Sequence, residues 1–68
     1  MIRNDIELGT TLERISRFQA QVRQIRTTES NPENFRASVS GFLAELDRMN
    51  LDVREYLSAH PRELRAAG

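Results

Sequence analysis

The sequence contains no cysteine, no tryptophan and no lysine, and each absence narrows what the chain can be. Without cysteine, neither disulfides nor thiolate metal sites can staple the fold, so its order must come from packing. Its glycines, Gly9, Gly41 and Gly68, lie far apart and form no phosphate-binding loop. No apolar run approaches the ~20 residues that a membrane span needs, so no membrane partner is expected. The opening Met1-Ile2-Arg3-Asn4-Asp5 lacks the basic and then apolar layout of a secretion signal, which makes the cytoplasm the expected compartment. A surplus of charge is missing too: ten arginines stand against ten acidic residues, for a net charge of zero. Phosphate contacts need a basic excess, so direct nucleic-acid binding is not expected. The exclusive use of arginine fits the codon bias of a GC-rich genome better than a general demand for guanidinium forks.

The groups that run reactions are equally sparse. His60 is the only histidine, and beside Pro61 it fits a residue that faces water or the negative end of a helix. A metal site needs several convergent ligands, and the chain has no Glu-x-x-His pair of the di-iron bundle kind. Serines, threonines and Tyr56 have no neighbouring base to make them nucleophiles. The reading is therefore of a non-enzymatic protein with no cofactor, no metal and no catalytic residue.

What the chain does contain is helical periodicity. At 68 residues it is one domain, 1–68, near the lower limit for a self-sufficient core. The start of the first helix has two readings. Thr10-Thr11-Leu12-Glu13 is a capping box, which predicts a first helix over about 11–28 and leaves 1–9 poorly defined. A start near Asn4 is the alternative, because Ile6 and Leu8 extend the apolar stripe. Asn31-Pro32-Glu33 then supplies an N-cap, a first-turn proline and an acidic residue at the positive helix end, so a second helix runs from 32. Pro61 disfavours helix at His60 and ends it near 59, leaving 62–68 as a tail that is either loose or adds a short turn around Leu64. A connection this short makes the two helices antiparallel neighbours.

Both helices keep a heptad. The second places Val39, Leu46 and Val53 at position a, with Phe35, Phe42, Met49 and Tyr56 at d. The first places Leu8, Ile15 and Val22 at a, with Thr11, Phe18 and Ile25 at d. Antiparallel pairing stacks Ile25 near Phe35, Phe18 near Phe42 and Ile15 near Leu46, which defines a hairpin core. The stripe then spills onto position e, with Leu12, Leu43, Leu57 and Leu64, interrupted by Gln19 and Asn50. Position g is polar: Arg14, Gln21, Ser38, Glu45 and Asp52. Two helices alone cannot cover a, d and e together. The expectation is an all-α coiled-coil hairpin that pairs with a second copy, as a homodimer forming a four-helix bundle through Leu12, Leu43, Asn50 and Leu57.

The opening Met1-Ile2-Arg3-Asn4, Thr10 ahead of a helix containing Phe18, and Glu55-Tyr56 near the end of the second helix resemble the N-terminal extension of some Xre/Cro-type antitoxin regulators. In those bacterial proteins a helical hairpin precedes a helix-turn-helix domain. This sequence departs from that pattern in having no helix-turn-helix after the hairpin. The resemblance implies an association module, with no DNA-reading residues, and an antitoxin-like or transcription-regulator-associated accessory role in which another protein is the partner.

Overall fold

Two asparagines start the two helices. In this computed structural model, which describes residues 1–63, α1 spans Asp5–Thr28 and α2 spans Pro32–Ser58. Asn4 Oδ1 accepts the Glu7 amide at 2.8 Å, and Glu7 Oε1 reaches back to accept the Arg3 amide at 2.8 Å. Asn31 Oδ1 accepts the amides of Glu33 and Asn34 at 2.9 and 3.2 Å, with Pro32 in the first turn, where its missing N–H has no cost.

The second cap is the one the sequence predicts. The first corrects the start at 11. Thr10 does not cap a helix but lies inside one, its hydroxyl donating to the Ile6 carbonyl at 3.2 Å. Thr11 donates likewise to Glu7 at 2.9 Å. The physical reason lies outside the local sequence. Beginning at Asn4 lets Ile2 bury itself against the far end of α2, only 7% exposed, and brings Leu8 and Thr11 into the helix at the a and d positions expected of them. It also brings Asp5 and Glu7 into α1, where they offset part of the charge of Arg14, Arg17, Arg23 and Arg26.

Between the helices, 29–31 reverse the chain. The Glu29 amide donates to the Ile25 carbonyl at 2.8 Å, and the Asn31 amide to Glu29 Oε1 at 3.0 Å. The helices pack side by side into a rod of 51 × 16 × 13 Å, two helices wide and one thick. Its core is small. Ile15, Leu46 and Met49 are buried together, with Phe18, Val22 and Val53 packed against them. Val39 is buried further toward the turn. The Phe18 and Phe42 rings meet edge to face with centroids 5.4 Å apart, the layer that antiparallel heptad pairing requires. Ile25, Phe35 and Tyr56 are half-buried along the same seam.

α2 ends at Ser58, and the Ala59 amide donates to the Tyr56 carbonyl at 3.3 Å. A helical turn then begins at Pro61. His60 caps it, its Nδ1 accepting the Arg62 amide at 3.1 Å while its own amide donates to Glu63 Oε2 at 3.4 Å. Residues 64–68, including Leu64, lie outside the described residues. No helix among the described residues is long and apolar enough to cross a membrane.

Candidate interaction surface

The two long edges of the rod differ in chemistry because they carry different heptad positions. On the e edge, Leu12 is 48% exposed, Leu43 45% and Leu57 64%, and Asn50 between them is exposed as well. Large apolar side chains 45–64% exposed form a row there, outside the buried core of their own hairpin. On the g edge the side chains are charged or polar. Glu45 is held below the usual carboxylate range, chiefly by its hydrogen bond to Arg48 one turn on, aided by the charges of Arg48 and of Arg14 across the seam. Asp52 lies 3.6 Å from the amino group of Met1. Those carboxylates have neighbours of opposite sign, whereas the leucines leave about half or more of their apolar surface in water.

At the open end of the hairpin, α1 and α2 are tied by one long-range hydrogen bond. The Tyr56 hydroxyl donates to Asp5 Oδ1 at 2.6 Å, which pushes its pKa above 10.0, with burial and the charges of Asp5 and Glu7 acting the same way. Beside it runs a shallow groove lined by Ile6, Tyr56, Leu57, Ala59 and Pro61. Ile6 at its rim is 83% exposed, and Leu51 on the outer face of α2 is 52% exposed. Ile6 does not extend the apolar stripe as the sequence suggests: like Leu51 it falls at heptad position f, which faces away from the seam. Ile2 is the buried residue that the heptad misses. Its signal is an apolar side chain just ahead of an Asn-x-x-Glu cap, the setting in which helix entries fold back.

The chain matches no protein-family model, no curated protein and no solved structure. Function has to be argued from the surface itself. Among the described residues no group of three or more His, Asp or Glu side chains is placed to hold a metal ion. Ser58 and His60 are engaged in a helix end and a cap, and Tyr56 does meet a carboxylate, Asp5, but that bond raises its pKa and so holds the hydroxyl in its protonated form. The feature with an evident physical demand is the leucine edge.

Proposed function

We propose that this chain is a non-enzymatic helical hairpin that self-associates and serves as a protein-interaction module. The observation that carries the reading is the row of Leu12, Leu43 and Leu57, exposed beside a core of very few buried side chains. Apolar surface gains about 25 cal/mol for each Å² removed from water, and a rod one helix thick leaves that gain unused. Stacking a second hairpin on the e edge collects it and yields a four-helix bundle.

Sedimentation at micromolar concentration tests this directly. The wild type is expected to run as an oligomer, and a stable, folded 7.8 kDa species overturns the reading. Leu43→Glu should dissociate it and lower its helicity, because an unpaired carboxylate in an apolar contact costs several kcal/mol. Gln21→Glu, on the opposite edge, should leave mass and melting unchanged. A reversed result assigns the edges wrongly.

The antitoxin-like or regulator-associated reading keeps the same surface but gives it to another protein. It rests on the resemblance of Met1-Ile2-Arg3-Asn4, Phe18 and Glu55-Tyr56. A wild-type chain that stays monomeric alone, yet forms a stoichiometric complex with the product of an adjacent gene, would favour it.

A further inference from the structure

If the hairpin self-associates, the leucine edge also fixes the direction in which it does so. On a helix with about 100° between successive residues, positions e and b form a second seam about 100° round from the a/d seam. That is close to the right angle at which one helix of a four-helix bundle faces its two neighbours. Along α2 the second seam reads Arg36, Ser40, Leu43, Asp47, Asn50, Arg54, Leu57, every one of them exposed.

This string is self-complementary when reversed about Asn50. Leu43 then faces Leu57, Asp47 faces Arg54, and Asn50 faces itself. Aligned in parallel, the same string sets Asp47 against Asp47 and Arg54 against Arg54, which repels. Neither Asp47 nor Arg54 is ion-paired among the described residues, so both charges are available to a second copy. The first helix agrees with this centre. Ile15 packs with Leu46 and Phe18 with Phe42, so Asn50 lies level with about Thr11. The same two-fold brings Leu12 close to Gly9 of the second copy, where a missing side chain leaves open space. Toward the turn, the e and b positions include Ser16, Gln19, Arg23, Arg26, Glu33 and Arg36, which a contact would leave in water.

We infer that the partner of α2 is α2 of a second copy, antiparallel, with the two-fold axis passing Asn50. Leu43 packs on the copy's Leu57, Asp47 pairs with its Arg54, and the two Asn50 amides meet on the axis. The hairpins overlap over their open halves, and their turns point in opposite directions. An amide pair at the centre of an apolar seam lowers stability but fixes register, as a single polar core residue does in coiled coils.

This inference rests on the self-association reading, and cysteine scanning separates the two because the chain has no cysteine of its own. Under mild oxidation Asn50→Cys should form a covalent dimer, while the exposed control Gln21→Cys should not. Leu43→Cys alone should stay uncrosslinked, but mixed with Leu57→Cys it should give the hetero-disulfide. Charge reversal supplies a second readout. Arg54→Asp should weaken association about tenfold or more, and Asp47→Arg combined with Arg54→Asp should restore it. Circular dichroism verifies that each variant folds. A wild type that sediments as a monomer overturns the self-association reading and this one with it. A wild-type dimer in which Leu43→Cys links to itself, or Asn50→Cys does not, overturns the antiparallel arrangement alone.

Discussion

Tyr56 is the only tyrosine, and with no tryptophan present its ionisation can be followed by absorbance without interference. Its hydroxyl donates to Asp5, so the folded chain favours the neutral form and the tyrosinate appears above its ordinary value of 10.0. The sign for stability follows. A folded pKa raised above the unfolded one gives a stabilisation that is complete below pH 10.0 and is lost as the pH rises through the folded value. Titration of Asp5→Ala should return the midpoint toward 10.0, and an unmoved midpoint would show that the bond is not formed in solution. Gly41 offers a second single-residue test. A methyl group added there meets nothing within 4 Å, and helix-interior glycine costs about 0.5–1 kcal/mol relative to alanine. Gly41→Ala should raise the unfolding free energy by about that amount in urea titration, with the assembly unchanged. A loss of association instead would place an interface on Gly41 and the small residues on the same side of α2, Ala37 and Ala44.

The two helices were unequally legible, for a reason that lies in their ends. α2 is bracketed by Asn31-Pro32-Glu33 and by Pro61, and each of these residues acts on the backbone within its own turn, so local chemistry decides. α1 has two capping patterns, Asn4-x-x-Glu7 and Thr10-x-x-Glu13, of nearly equal local merit. What separates them is the burial of Ile2 and the Tyr56–Asp5 bond, both supplied by residues about fifty positions away. No window of sequence contains that information. Asn4→Ala should therefore cost about 1 kcal/mol in thermal or chemical unfolding, and Thr10→Ala much less. The opposite order would move the helix start back to 11. The same limit applies to the surface. The a/d seam and the e-edge leucines follow from periodicity, whereas exposed Ile6 and Leu51 do not. His60-Pro61-Arg62-Glu63 is a capping box built on histidine, and it escapes notice because the proline that ends one helix also opens the next turn.

As a whole molecule the hairpin is a thin rod whose buried side chains are spread along its length, from Val39 on the turn side to Ile2 at the open end. Ile15, Leu46 and Met49 sit near mid-length, well away from the turn. The Tyr56–Asp5 bond lies farther still, joining residues 51 apart in sequence. That separation has a kinetic consequence. Closing a long loop costs entropy that grows with its length, so the chain gains most by ordering the turn first and zipping outward. The Asn31 cap then belongs to the folding nucleus, and the open-end bond forms after the barrier is crossed. Stopped-flow measurements should find that Asn31→Ala slows folding, while Asp5→Ala leaves the folding rate almost unchanged and accelerates unfolding. The bond most distant in sequence would thereby set how long the hairpin lasts, without affecting how quickly it forms.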